Sequence, residues 1–313
     1  MIARRHIRLK VMQSLYSYFS NPSNEMSISE KEMAKDIRSI SELHIIIISF
    51  IIELHTYATD FLEENKTKYI PSKEDLNPNT KFLNNRIITA LKKDEFLNKK
   101  VTRISSIWRK NDLDIIRKVF VEMYKSQQYS DYLNNKKDDF NQDKKFVQIM
   151  LNEYILDNDI FHFILQEKSI FWTDDLPFIS MFLKGQINNM KENNNNSLVT
   201  DVFKNNDDKK FAIDLFRKTI NNADEFEQLI ESKVKNWELE RISKIDLLLI
   251  KMALTEVISF KEMPIKVSFN EYIEISKYYS TKNSKVFING VLDKIVSQYR
   301  REGKVRKVGR GLV

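Results

Sequence analysis

Residues 264–293 read PIKVSFNEYIEISKYYSTKNSKVFINGVLD, and this stretch decides the fold. Pro264 lacks an amide donor and restrains the residue before it, so a new element opens there. Asn270 is placed as an N-cap for a helix over 271–279. Ser280, Thr281, Lys282, Asn283 and Ser284 make a polar turn, and a final helix starts around Phe287. Just upstream, Ile245, Leu248, Leu249, Met252, Ala253 and Val257 recur at the spacing of one helix face.

Outward from there, almost every segment reads as helix. Ile7, Val11, Leu15 and Tyr18 lie four, four and three residues apart within 3–19. Further helical patterns cover about 29–66, 80–95, 97–109, 111–135, 144–190 and 198–302. The breaks fall at 21–24, between Pro71 and Pro78, at the polar run 135–144 and at 191–197, which contains four consecutive asparagines. Glycine and proline number five each in 313 residues. That is too few for the turns of a β protein, so the class is all-α. With no cysteine, disulfides, thiolate zinc sites and cysteine nucleophiles are excluded.

Charge is placed unevenly. The net +7 resolves into +4 over residues 1–24, +5 over residues 296–313, and −2 over the body between them. Basic ends on a near-neutral body suit a phosphate backbone, because each contact releases counterions. Basic termini also serve as plain solubilising tails. Arg4, Arg5 and Arg8 sit at the start of the first helix, where the helix dipole favours acids. Either the local cost serves a ligand, or the first turn is simply solvated. No apolar run of about 7–15 residues follows the basic start, so it does not read as a signal peptide. The most hydrophobic stretch, Ile45 to Ile52, is far short of the roughly 20 residues a membrane helix needs. A cytoplasmic protein with no membrane partner is expected.

The chain resembles itself at a shift of 65. Residues 143–183 align with 208–248 without a gap, with ten identities in 41 positions. Asp143, Lys144, Lys145 and Phe146 match Asp208, Lys209, Lys210 and Phe211, and Trp172 matches Trp237. Pro177 in the first stretch stands opposite Ile242 in the second. The reading is a diverged duplicate of a helical hairpin; the alternative is chance likeness between helices of similar composition.

No catalytic constellation emerges, and no enzyme is expected. His44 and His55 are eleven residues apart, roughly 16 Å along a helix, so they share no metal on one helix. No P-loop, dinucleotide fingerprint, nucleophile elbow or zinc-protease motif occurs. The pairs Asp174 with Asp175 and Asp207 with Asp208 fall at helix starts, where acids cap and complement the dipole. No metal or cofactor is expected.

The two ends of the chain resemble the NusB family of transcription antitermination factors. The phrases that carry the likeness are Arg4, Arg5 and Arg8 followed by Gln13, Ser14, Leu15, Tyr16 and Ser17. Pro264, Val267, Asn270 and Glu271 come next in order. The last phrase is Asn283, Ser284, Phe287, Ile288, Asn289, Gly290, Val291, Leu292 and Asp293. The likeness covers about 1–25 and 205–302. It implies a NusB-like helical bundle of two sub-bundles, enlarged by an additional inserted helical region. The organisation expected is an Arg-rich first helix over 1–25, an inserted region over 26–200, a NusB-like domain over 201–302 and a basic tail over 303–313.

The resemblance also implies a function. Family members bind boxA-type single-stranded RNA together with NusE, a small-subunit ribosomal protein. They join the RNA polymerase antitermination complex and promote processive transcription, notably of ribosomal RNA operons. No cofactor takes part. By match to the family, Arg4, Arg5, Arg8, Tyr16, Asn283, Ser284 and Phe287 are carried over as RNA contacts, and Lys285 adds charge beside them. Tyr16 and Phe287 also have ordinary readings as half-buried core rings. Glu240 and Asp246 correspond to acidic positions at the edge shared by RNA and partner. Neutral Asn283, where relatives often carry Asp, removes a repulsion toward phosphate. The alternative function is a helical protein-interaction scaffold whose RNA surface is vestigial.

Overall fold

The computed structural model describes residues 2–21, 23, 25–104, 113–169, 171–192, 197–234 and 242–308. These residues contain α-helices and turns and no strand. The fold is all-α, as expected. The chain divides into two compact units, one of residues 1–37 and 202–313, the other of 38–201.

The first unit holds α1 (Arg4–Ser20), the start of α2 (Met26–Lys66), and, after the second unit, its five remaining helices. In the second unit the rest of α2 is followed by α3 (Lys73–Leu76), α4 (Arg86–Lys93), α5 (Glu95–Ile104), α6 (Leu113–Tyr124) and α7 (Gln127–Asn134). Next come α8 (Phe140–Ile149), a π-helical continuation over Met150–Leu156, α9 (Asp159–Lys168) and α10 (Trp172–Asn189). The first unit then resumes with α11 (Asn206–Asn221), α12 (Ala223–Lys233), α13 (Lys244–Ser259), α14 (Ile265–Tyr279) and α15 (Ser284–Arg301).

Local chemistry sets many of the helix starts. Asn205 accepts from the Asp208 amide at 3.0 Å to cap α11, and Asp139 accepts from the Gln142 amide at 2.8 Å to cap α8. Asn85 accepts from the amides of Ile87 and Ile88 to cap α4. Asn270 does not cap the helix it was expected to start. The helix begins at Ile265, directly after Pro264, and Asn270 is an exposed mid-helix residue. The reason is apolar periodicity: Ile265, Ser268, Phe269, Tyr272, Ile275 and Ser276 form one buried stripe that carries the helix back to the proline. The segment between Pro71 and Pro78, expected as loop, contains the short α3, held by a reciprocal capping box between Ser72 and Asp75.

The 65-residue shift maps one unit's helices onto the other's. It carries 140–156 onto 205–221, where α11 lies, and α9 onto 224–233, within α12. The buried positions coincide as well. Asp143, Phe146, Val147, Met150, Leu151 and Tyr154 are buried in one stretch, and Asp208, Phe211, Ala212, Leu215, Phe216 and Thr219 in the other. Trp172 is buried, its indole donating to the Ser39 carbonyl; its match Trp237 lies outside the described residues. In the first unit, α13 packs between α14, α15, α11 and α1, and is buried on every side from Leu248 to Val257.

Candidate nucleic-acid interface

α1 lies against α11 and α13, and its three arginines face different fates. Arg8 is 2% exposed. Its Nε and one terminal nitrogen donate to the two oxygens of Glu256 at 2.8 and 2.7 Å. Ser268 Oγ and the Tyr272 hydroxyl donate to the same carboxylate at 2.7 and 2.9 Å. Glu256 is therefore a buried anion with four donors, the condition under which a buried ion pair is tolerated. Burial works against the Arg8 charge, but the hydrogen bonds and field of Glu256 outweigh it and raise its pKa above the ordinary arginine value. Burial likewise drives the Tyr272 hydroxyl well above the usual tyrosine range, reinforced by the nearby Glu256 charge. A guanidinium so enclosed offers no donor to a phosphate. Arg8, carried over as an RNA contact, is placed by the structure as the pin that joins α1 to α13 and α14.

Arg4 and Arg5 are more open. Arg4 Nε donates to Asp208 Oδ1 at 2.8 Å. The Arg4 and Arg8 guanidiniums lie 5.3 and 5.2 Å from the Phe211 ring centre, one cation–π contact each. Arg5 makes a forked pair with Glu271 at 2.8 and 2.9 Å while remaining 56% exposed. The hydrogen bonds from Glu271 raise its pKa. Glu271 thus aligns the Arg5 fork without hiding it.

The second group of expected contacts lies in the turn between α14 and α15. Ser284 is buried, and its hydroxyl donates to Asp246 Oδ2 at 2.7 Å. The Ser284 hydroxyl also meets Ser280 Oγ at 3.0 Å and accepts from the Thr281 amide at 3.1 Å. Asp246 is buried beneath this turn. Ser284 and Asp246 therefore act together as the turn's internal clasp. What the clasp presents outward is Lys282, Asn283, Lys285 and Val286, all exposed. The Asn283 side chain does not cap α15. Phe287 is half-buried and Tyr16 exposed. Glu240 falls outside the described residues.

Both groups border α14. Glu271, which holds Arg5, and Ser280, where the turn begins, are nine residues apart, about 14 Å along the helix axis. Between them α14 exposes Lys277 and Tyr278, and Lys277 is paired with Glu274. Near the end of α1, the Phe19 ring centre lies 5.6 Å from Nζ of Lys251 in the middle of α13, and Lys251 pairs with Glu227.

Sequence reasoning missed Glu256 and Tyr278. A lone acid inside the largely apolar run Leu247–Val257 was the available signal for a buried partner of an arginine. Tyr278 is the first of two tyrosines before a polar turn. Among the described residues, no three His, Asp or Glu side chains are grouped so as to hold a metal, and no helix is long and apolar enough to cross a membrane.

The arginine-headed α1, pinned to α13 and α14, and the clasped polar turn after α14 are the two parts of this candidate interface. Residues 179–297 match the model of the NusB family. Among the chain's curated relatives are three proteins named transcription antitermination protein NusB. The one from Salinibacter ruber is 47% identical over 103 residues, 33% of this chain and 64% of the relative. The one from Chloroherpeton thalassium is 39% identical over 105 residues, 34% of this chain and 50% of the relative. The one from Natranaerobius thermophilus is 34% identical over 84 residues, 27% of this chain and 60% of the relative. The matched part of the chain thus spans less than two thirds of each relative's length. No solved structure matches the chain.

Proposed function

We propose that the chain is a non-catalytic transcription antitermination factor that binds boxA-type single-stranded RNA together with NusE. In this reading it works in the cytoplasm, joins the RNA polymerase antitermination complex and favours processive transcription, notably of ribosomal RNA operons. The observation that carries the reading is that exposed Arg5, paired with Glu271 of α14, and the exposed residues Asn283 and Lys285 just beyond the end of α14 border the same helix. Single-stranded RNA is gripped by such cations at its phosphates and by exposed rings at its bases. Arg4, Arg5 and Lys285 supply the cations, Tyr16 and Phe287 the rings, and Asn283 a neutral hydrogen-bonding group. Arg8 and Ser284 contribute from below, by fixing α1 and the turn. Within the helical region added to this domain, residues 143–183 are a diverged duplicate of 208–248.

A scaffold with a vestigial RNA surface is the second reading. What favours it is that all three arginines already hold carboxylates, Asp208, Glu271 and Glu256. A boxA RNA titration at two salt concentrations separates the two. The first reading expects affinity to fall steeply with salt, and Arg5→Ala with Lys285→Ala to weaken binding and flatten the slope by about one unit per removed contact. Equal affinity and slope in wild type and double variant would favour the scaffold.

A further inference from the structure

Tyr278 is 83% exposed on the last turn of α14. A tyrosine buries a large apolar ring when it serves a core, so a ring left almost wholly in water has no folding role. Its surroundings are specific. Lys282 and Lys285 are exposed in and just after the turn that follows, with Asn283 between them. Among the described residues Tyr278, Lys282 and Lys285 have no ion pair, side-chain hydrogen bond or ring contact. The lysines thus differ from Arg4, Arg5 and Arg8, which are already matched to acids. The turn is also rigid: the Ser284 hydroxyl ties Ser280, Thr281 and Asp246 together, so the groups it displays are held in place before any ligand arrives.

We propose that Tyr278 is a base-stacking platform that extends the RNA surface onto the end of α14. An unpaired base lies on its ring, and the flanking phosphates sit against Lys282 and Lys285. This rests on the RNA-binding reading above and adds to it a site of defined chemistry: one splayed nucleotide of a single strand, held by a ring face and two cations. A ring face accepts any base, so the contact adds affinity rather than sequence choice.

The test uses the full chain and a short fluorescent boxA-type single-stranded RNA. Tyr278→Ala is expected to weaken binding about 5- to 100-fold, the range found when a stacking ring is removed. Tyr278→Phe, which keeps the ring, should stay within about twofold of wild type. The salt slope should be unchanged in Tyr278→Ala and shallower in Lys282→Ala with Lys285→Ala. Thermal unfolding of Tyr278→Ala checks that the exposed substitution leaves the fold intact. Wild-type affinity in Tyr278→Ala would overturn the proposal, as would equal loss in the Phe and Ala variants. If wild type itself fails to bind the RNA, the functional reading falls instead, and that is seen before any variant is made.

Discussion

Asp143 and Asp208 hold the same station in two helices 65 residues apart, and the neighbourhoods built on them differ in an informative way. In each unit a helix that begins with arginine packs on the aspartate's helix and donates to it: Arg4 of α1 to Asp208, and Arg86 of α4 to Asp143. Asp208 receives that one bond from an arginine that is largely open. Asp143 receives the Arg86 side chain at 2.9 Å, the Arg86 amide at 3.1 Å and the Tyr132 hydroxyl at 2.7 Å. Burial, with Asp143 beside it, raises the Tyr132 pKa.

The third helix of each set shows the larger contrast. In α13 the positions Leu249, Ile250, Ala253 and Leu254 are buried beneath neighbouring helices. At the same shift of 65, just past the aligned stretch, α10 carries Lys184, Gly185, Asn188 and Asn189 on a face that is exposed or half-exposed. Positions related by that shift are apolar where a helix covers them and are charged, polar or glycine where none does. Burial, rather than the helix itself, decides which residues survive.

The sharpest way to break this comparison is to exchange counterparts. Leu249→Lys puts an unpaired cation into a closed site and should cost more than about 4 kcal/mol. Lys184→Leu, the reverse exchange on the open face, should change stability by no more than about 0.5 kcal/mol. Urea unfolding of both variants measures the difference, and equal costs would sink the idea that cover explains the divergence.

A smaller effect distinguishes the second unit by pH. His44 is buried, its Nε2 donating to Gln186 Oε1 at 2.7 Å, and burial lowers its pKa to about 4. The unfolded imidazole titrates near 6.5. Below that pH the unfolded chain takes up a proton that the folded one refuses. The stability due to neutral His44 is therefore complete above about 6.5 and declines as pH falls toward 4, by roughly 3 kcal/mol in all. Denaturant midpoints at pH 7 and pH 4 should show this loss in wild type and a reduced loss in His44→Gln.

The mildest test returns to the aspartates. Asp143→Ala strands Tyr132 and the Arg86 amide and should cost about 2–3 kcal/mol. Asp208→Ala frees only a half-exposed arginine and should cost about 1 kcal/mol or less. Calorimetric unfolding of the two variants gives the ranking, and a larger loss at Asp208 would reverse it.

Much of this was legible in the residues alone. Few glycines and prolines, with apolar spacings of three and four, sufficed for an all-α fold, since helical periodicity is a local property. The 65-residue likeness was legible because identical residues recur at that shift together with the same burial pattern. The likeness to the NusB family was legible in three short phrases, one near the start of the chain and two near its end. The site was only partly so. Arg4, Arg5 and Arg8 look alike in sequence, yet one is a buried pin and another an open fork. What separates them is the position of Glu256 and Glu271, some 250 residues further along the chain.

Residue types and their spacing therefore determined which segments are helices and which family the chain resembles, because hydrogen bonding and apolar stripes act within a few residues. Only the tertiary structure decided which charges face water, which carboxylate each arginine meets and which face of a repeated helix is covered. Those outcomes depend on contacts between segments far apart in the chain, and the desolvation they impose is set by neighbours that no local pattern names.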